Sequence, residues 1–187
     1  MRYMFLGCSN LTSLDVSHFN TSKVIYMNQM FSGCTGLTSL DLSSFNTSNV
    51  TIMMSSMFYN CYNLRTIYVG SGWSTAAVTG SANMFFNCTS LVGGQGTTWN
   101  ESNPTDKTYA HIDGGTSNPG YFTDKNAGLR GDVDNDGKVT ISDVTVLINL
   151  LLTGNTPPST ADCDQDSKVN ISDVTALINY LLSGSWN

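Results

Sequence analysis

The sequence predicts two domains, an α/β solenoid of parallel strands and short helices followed by a small all-α domain. Four segments that begin at Met4, Met30, Met57 and Met84 repeat one another at offsets of 26, 27 and 27 residues. Two aspartate-rich segments nearer the C-terminus repeat each other at an offset of 30 residues, and each runs into a segment of helical periodicity. The net charge of -6 lies entirely in residues 131–187, because residues 1–130 hold six acidic and six basic residues. This break in charge near residue 130 favours two domains over one.

The repeats carry a Leu-x-x-Leu-x-hydrophobic pattern. A period of roughly 20–29 residues with this pattern is the signature of leucine-rich repeats, so we expect a leucine-rich-repeat-like solenoid. Alternate residues of a strand point to one face, and the residues predicted to point inward in three parallel strands are Leu11, Leu14, Val16, Leu37, Leu40, Leu42, Leu64, Ile67 and Val69.

A short helix is predicted after each strand. In the first repeat Val24, Met27, Met30 and Phe31 lie about one helical turn apart, which would close the helix against the strands. The second repeat has one extra residue in the segment VTIMMSSMF, which shifts this register, and Gly80 and Ser81 predict a frayed helix in the third.

Cysteines occupy the same position in all four repeats, at Cys8, Cys34, Cys61 and Cys88. Equivalent positions of a stacked solenoid point their Cβ atoms in parallel, which suits disulfides poorly, and the wide spacing does not fit a zinc site. We therefore predict a ladder of buried thiols. Cys163, in the second aspartate-rich segment, is predicted to be exposed and unpaired.

The sequence of the second repeat, MFSGCTGLTSLDLSSFNTSNV, resembles the BspA-like leucine-rich repeats of bacterial surface proteins. The resemblance covers residues 4–123, and YAHIDGGTSNPGYFT resembles the closing segment of that family. It implies adhesion, or protein or glycan binding at a cell surface, without catalytic residues. We place this domain at 1–123, with a C-terminal cap, and a linker at 124–130. Residues 1–7 have the pattern of the tail of a repeat, so we expect earlier repeats and a signal peptide upstream.

The two aspartate-rich segments, Asp132 to Asp143 and Asp162 to Asp173, have the spacing of calcium loops. A hard cation takes six to eight oxygen ligands, and a short loop supplies them from positions 1, 3, 5, 7, 9 and 12, with a backbone carbonyl at position 7. Two Ca²⁺ ions are predicted, and the ligands are Asp132, Asp134, Asp136, Lys138, Thr140, Asp143, Asp162, Asp164, Asp166, Lys168, Asn170 and Asp173. Ser167 replaces the glycine that the sharp turn prefers, so we expect the second site to be weaker.

Each loop leads into an amphipathic helix that Gly154 or Gly184 should end. The predicted core stripes are Val144, Leu147, Ile148 and Leu151, then Val174, Leu177, Ile178 and Leu181. A second apolar side, comprising Val146, Leu150, Ala176 and Tyr180, is predicted to contact a partner.

A calcium loop followed by a helix, without an entering helix and repeated at an offset of 30 residues, resembles type I dockerin over residues 131–185. The resemblance implies a small all-α dockerin domain, residues 131–187, that docks onto a cohesin module of a partner protein. Family recognition positions fall on Ile141, Ser142, Asn149, Thr153, Ile171, Ser172, Asn179 and Ser183. The two copies share ISDVT at 141–145 and 171–175 and Leu-Ile-Asn at 147–149 and 177–179, so a two-fold rotation would present nearly the same face and permit docking in two orientations.

Composition excludes several other functions. Charged residues make up 12% of the chain, and no basic cluster exists for nucleic acid or an anionic membrane. No apolar run approaches the length of a membrane span. His18 and His111 are the only histidines, and nothing marks either as catalytic. We predict a non-catalytic, secreted or cell-surface binding protein. The alternatives are a calcium-stabilised stalk without a cohesin partner and a truncated accessory part of a polysaccharide-degrading complex.

Overall fold

The computed structural model describes residues 1–51, 54–125 and 128–186. The chain divides into two compact units, Met1–Lys125 and Asn126–Asn187, which we call the repeat unit and the helix-pair unit. The strands are β1 (Ser39–Leu42), β2 (Thr66–Val69) and β3 (Phe122–Asp124), the α-helices are α1 (Ile141–Thr153) and α2 (Ile171–Ser183), and short 3₁₀ turns span Lys107–Tyr109, Gly115–Ser117 and Ser159–Ala161.

A three-stranded parallel sheet in the order β1-β2-β3 runs through the repeat unit. Ser39 pairs with Thr66 and Leu42 with Val69, so β1 and β2 are related by one repeat. The predicted parallel stacking is therefore confirmed for the second and third repeats. In the first repeat the predicted inward side is confirmed, because Val16 is buried and Leu11 and Leu14 pack against the core, but the predicted strand is wrong, because none of the three lies in a strand.

Turns replace the predicted helices of the repeats. The Met30 N–H donates to the Met27 carbonyl at 3.3 Å, but the Phe31 N–H donates to the Met57 carbonyl of the next repeat at 3.0 Å. An α-helix needs every N–H for a bond to the residue four positions earlier, so this alternation excludes it. Two residues per repeat also adopt left-handed backbone, as Gln29 (φ 52°) and Gly33 (φ 73°) do. The register shift predicted within VTIMMSSMF involves residues 52 and 53, which lie outside the described part of the chain.

The core of the repeat unit is a ladder of identical side chains. Phe5, Phe31, Phe58 and Phe85 stack with ring centroids 5.6, 5.8 and 5.6 Å apart. The Cys61 thiol donates to the Phe31 carbonyl at 3.1 Å, and Cys34 and Cys88 make the same contact one repeat away on either side. The predicted thiol ladder is confirmed for these three free cysteines and is wrong for Cys8, which is exposed. Burial raises the pKa of Cys34 to about 11 and of Cys61 to about 12, which keeps the thiols protonated.

The closing segment adds β3 to the sheet. The Tyr121 N–H donates to the Tyr109 carbonyl, and the Phe122 N–H donates to the His111 carbonyl. Asp113 is buried and accepts hydrogen bonds from the backbone N–H groups of Gln95, Thr97, Gly115 and Gly120 and from the Thr97 hydroxyl. Burial alone would raise the pKa of Asp113, but the hydrogen bonds from Thr97, Gly115 and Gln95 lower it to about 2.

The end of the repeat unit falls inside the predicted linker. Asp124 belongs to β3, and the Lys125 N–H donates to the Val69 carbonyl at 2.9 Å. The next two positions of that linker, 126 and 127, lie outside the described residues.

In the helix-pair unit, α1 and α2 pack on a small core of Val133, Val144, Leu147, Ala161, Cys163, Val174 and Leu177. The glycines that were expected to stop the helices do so, since Gly154 (φ 69°) and Gly184 (φ 73°) are left-handed C-caps. Neither helix, nor any other in the described residues, has the length and apolar character needed to cross a membrane.

Candidate calcium loops and the exposed helix face

The structure brings together three carboxylates in each predicted calcium loop. Asp132, Asp134 and Asp143 place one oxygen each within 4.8 Å of one another, and so do Asp162, Asp164 and Asp166. The other predicted ligands, which lie outside these two clusters, remain predictions: Asp136, Lys138, Thr140, Lys168, Asn170 and Asp173.

The last aspartate of each loop ties the loop to its helix. Asp143 Oδ1 accepts the N–H groups of Val133 and Asp134 at 2.7 and 3.1 Å, and its Oδ2 accepts the N–H of Thr140 at 2.8 Å. Asp173 repeats the arrangement in the second loop. Both carboxylates are fully buried at the third position of a helix, where the helix dipole favours negative charge. The loop and the first turn of the helix are therefore one hydrogen-bonded assembly.

The residue at loop position 9 caps the helix. Thr140 Oγ1 accepts the Ser142 N–H at 3.2 Å, and Asn170 Oδ1 accepts the Ser172 N–H at 2.8 Å. The Ser142 hydroxyl in turn donates to Asp134 Oδ2 at 2.7 Å. One of the predicted partner-binding residues is thus bonded directly to a predicted ligand.

The first aspartates of the two loops differ in how their oxygens are satisfied. Both Asp132 oxygens accept backbone N–H groups, from Asp136 at 3.0 Å and Gly137 at 2.9 Å. Asp162 Oδ2 accepts the Ser167 N–H at 3.0 Å, whereas its Oδ1 is buried and has no hydrogen-bond partner among the described residues. Burial also raises the pKa of Asp132.

These residues fit a calcium ion. A buried carboxylate oxygen without a donor carries a desolvation cost that a cation would remove. Each cluster offers carboxylate oxygens alone, and hard divalent cations such as Ca²⁺ prefer oxygen ligands.

The sixth residue of each loop has the left-handed backbone that favours glycine. Gly137 has φ 87° in the first loop, and Ser167 has φ 69° in the second. A left-handed residue with a Cβ atom costs on the order of 1 kcal/mol. This is the strain from which a weaker second site was predicted.

One face of each helix exposes large apolar side chains. Ile141 and Leu152 are 71% and 79% exposed, and their counterparts Ile171 and Leu182 are 70% and 82% exposed. Ile148 and Ile178 lie between them, each 38% exposed, which corrects their assignment to the core stripes. Residues spaced by seven and eleven positions share one side of a helix, so each helix presents a stripe of exposed apolar side chains. We call the two stripes together the exposed helix face.

The second apolar side that was predicted to contact a partner is instead partly buried. Val146, Leu150 and Ala176 pack against the core of the helix-pair unit. Tyr180 stacks on Trp186, with centroids 4.2 Å apart. All four residues keep part of their surface exposed, so their contact with a partner stays a prediction.

The predicted recognition positions are all exposed: Ile141, Ser142, Asn149, Thr153, Ile171, Ser172, Asn179 and Ser183. Thr153 and Ser183 direct their hydroxyls back to the carbonyls of Asn149 and Asn179, at 2.7 and 2.8 Å. The sequence reading missed Leu152 and Leu182. Their spacing of eleven residues from Ile141 and Ile171, three helical turns, was the signal that could have found them.

The two ends of the helix-pair unit meet at Trp186. Its ring lies between the Arg130 guanidinium, 4.2 Å away, and the Tyr180 ring. Arg130 also donates from Nε and Nη2 to the Cys163 carbonyl. Cys163 itself is fully buried, which corrects the prediction of an exposed thiol, and burial raises its pKa to about 12.

A stack of short parallel repeats and a pair of helices led by aspartate loops define a two-unit protein with a calcium-loop module at its C-terminal end. Residues 1–115 match the family model described as Mycoplasma protein of unknown function, DUF285, and the chain belongs to this family. Residues 130–182 match the type I dockerin domain. No curated protein and no solved structure matches the chain.

The match to the type I dockerin domain indicates what the helix-pair unit binds. Type I dockerins bind calcium, and the domain indicates calcium-dependent docking to a cohesin. Proteins that carry dockerins are typically extracellular or attached to a cell surface. Both matched domains are of non-catalytic types.

Proposed function

We propose that this is a non-catalytic, secreted or cell-surface binding protein whose helix-pair unit docks onto a cohesin through the exposed helix face. Its repeat unit, a leucine-rich-repeat solenoid of the BspA-like type, binds a protein or glycan ligand. The observation that carries the docking proposal is the pair of matching apolar stripes on α1 and α2, in a domain of the dockerin type. Exposed apolar side chains grouped on one surface mark interaction sites.

Bound calcium would affect docking through the first turn of each helix, where each stripe begins. Ile141 and Ile171 are the first residues of their helices, directly after the capping residues Thr140 and Asn170. The carboxylates of Asp143 and Asp173 hold the loop backbone against the same first turn. An ion bound in each loop, by the twelve predicted ligand positions, would fix the conformation from which the stripe begins.

Symmetry of the face supports docking in two orientations. Ile141, Ile148 and Leu152 have exposures within a few per cent of those of Ile171, Ile178 and Leu182. The flanking hydroxyl and amide positions also correspond, with Ser142 and Asn149 matching Ser172 and Asn179. A partner that binds one stripe would therefore contact nearly the same surface after a rotation that exchanges the two helices.

The test is capture of the full chain by a panel of immobilised type I cohesin modules, in calcium and in chelator. Ile141→Asp with Leu152→Asp disables the first stripe, and Ile171→Asp with Leu182→Asp disables the second. Each pair alone should weaken capture by no more than a few-fold, because the other orientation survives, whereas all four changes should abolish it.

A matched control adds the same two charges away from the face, by Asn155→Asp and Thr156→Asp in the exposed turn after α1. This variant should be captured like the unmodified chain. Complete loss from one stripe pair would refute the two orientations. Failure of every cohesin to capture the unmodified chain in calcium would refute docking and favour a calcium-stabilised stalk.

A further inference from the structure

The repeat unit has a cavity of about 500 Å³ near the end of β2. The loop after β2 lines one side with Trp73, Ser74 and Thr75, and the closing segment lines the other with His111, Ile112 and Asn118. Small-molecule sites in proteins typically have volumes of about 300–1,000 Å³. The cavity is therefore large enough for one or two sugar-sized rings.

Trp73 is held rigidly in the wall of this cavity. Its Nε1–H donates to the Ala110 carbonyl at 3.0 Å, and its ring packs edge-on against Phe122 with centroids 5.0 Å apart. Phe19 and Phe45 occupy the equivalent position in the first two repeats. The third repeat therefore places a larger aromatic side chain in the lining of the cavity, and the contacts with Ala110 and Phe122 fix its orientation.

His111 is also fixed before any ligand arrives. Its Nδ1 lies 2.8 Å from the Ile112 carbonyl, which can only accept, so Nδ1 carries the hydrogen. In the neutral ring Nε2 is then an acceptor. A Cβ atom at Gly120 would lie 2.8 Å from His111 Nδ1 and 2.9 Å from Cε1, so the glycine leaves the space that the imidazole occupies.

The lining is partly apolar, with Val69 and Ile112, and the polar side chains of its described residues include no carboxylate, ammonium or guanidinium group. None of the described residues around the cavity is Asp, Glu, Lys or Arg. The hydroxyls of Ser74 and Thr75 and the amide of Asn118 can donate and accept, and the imidazole adds an acceptor. An anionic ligand would find no cation here, and a cationic ligand would find no carboxylate.

We propose that this cavity binds a neutral saccharide. A sugar ring has an apolar C–H face that packs on an indole and a rim of hydroxyls that both donate and accept, which matches Trp73 on one wall and the hydroxyl, amide and imidazole groups around it. The inference rests on the ligand-binding role proposed for the repeat unit and is independent of docking by the helix-pair unit.

The experiment is a calorimetric titration of the full chain with four neutral disaccharides, cellobiose, xylobiose, mannobiose and N,N′-diacetylchitobiose, each in calcium and in chelator. At least one should bind, with equal affinity in both conditions. Asn118→Ala removes one hydrogen-bonding group and should weaken binding by about threefold to tenfold. Trp73→Leu should reduce binding below detection.

Asn10→Ala, at an exposed asparagine of the first repeat, is the matched control and should bind like the unmodified chain. An unchanged melting transition of the repeat unit in Asn118→Ala separates lost binding from lost folding, should Trp73→Leu fold poorly. The proposal is overturned if none of the four sugars binds, or if Asn118→Ala binds as tightly as Asn10→Ala. Cohesin capture can fail while sugar binding persists, and the reverse, so the two proposals fail separately.

Discussion

The two units of the chain are stabilised in different ways. Among the described residues, the repeat unit buries twenty-five apolar residues in one cluster, whereas the helix-pair unit buries seven. The carboxylate buried in the repeat unit, Asp113, accepts five hydrogen bonds from the protein. The helix-pair unit buries Asp132, Asp143 and Asp173 beside other acidic side chains, and all eight of its acidic residues lie in the two loops.

The difference indicates where each unit obtains its stability. Stacked rings and thiol contacts repeat from one coil to the next in the repeat unit, so apolar burial suffices there. In the helix-pair unit a small core must hold clustered negative charge, which repels itself unless a cation binds. We therefore expect the repeat unit to fold without metal and the helix-pair unit to depend on calcium.

The largest expected effect comes from removing the first aspartate of both loops. Asp132→Ala together with Asp162→Ala should abolish calcium binding and the calcium-dependent melting transition of the helix-pair unit, because the loops lose a buried ligand oxygen donor each. Titration calorimetry measures calcium binding, and scanning calorimetry measures the melting transition. Glu101→Ala, an exposed acid of the repeat unit, should leave calcium binding unchanged.

The stability of the repeat unit should depend on the buried Asp113 carboxylate and not on calcium. Asp113→Asn leaves backbone donors unpaired and should lower the free energy of unfolding of this unit by about 3 kcal/mol. The pKa of Asp113 is lowered to about 2 in the folded protein. Its contribution to the free energy of unfolding is therefore fully present above the pKa that Asp113 has in the unfolded chain, and it is lost as the pH falls toward 2.

Urea unfolding of the repeat unit as a function of pH measures this contribution. Asp15→Asn, at an exposed aspartate that accepts the Ser17 N–H, should leave the pH profile close to that of the unmodified chain. A profile for Asp113→Asn that coincides with it would show that the Asp113 hydrogen bonds contribute little.

A smaller effect is expected from the contacts at Trp186. Trp186→Ala removes the stack on Tyr180 and the contact with Arg130, which should destabilise the calcium-bound helix-pair unit by about 1–2 kcal/mol. Thermal melting in calcium measures the change. Leu129→Ala, at an exposed neighbour of Arg130, should have little effect. Equal melting temperatures for the two variants would contradict a stabilising role for the Trp186 stack.

The smallest expected effect is on the calcium affinities of the two loops, which differ in the residue at their left-handed sixth position. Ser167→Gly relieves about 1 kcal/mol of left-handed strain and should tighten the second calcium site by roughly fivefold. The reciprocal change, Gly137→Ser, should weaken the first site by a similar factor. Calcium affinities that do not respond to either change would show that the left-handed backbone at this position does not affect calcium binding.

Sequence periodicity predicted much of this architecture. The offsets of the repeats located the parallel pairing of β1 with β2, and the aspartate spacing located both loops and both helices. It failed where a long-range contact competes with a local one. Met27 to Phe31 has helical spacing, but bonds from Phe31 to the next repeat replace the helix.

Side-chain environment was harder to predict than element order. Cys163 lies in a loop that reads as polar, yet the Asp173 carboxylate draws its N–H inward and buries the thiol. Leu152 reads as one more residue of an apolar helix, and only the packing of α1 against α2 determines that it remains exposed. The exposed helix face therefore needed the three-dimensional structure.

The most direct test of the account is differential scanning calorimetry of the full chain with saturating calcium and with excess chelator. We expect two transitions in calcium. In chelator the transition of the repeat unit should stay within a few degrees of its original temperature, while that of the helix-pair unit should shift far down or disappear. A helix-pair transition that is unchanged by chelation would contradict the dependence on calcium, and with it the calcium-controlled docking face.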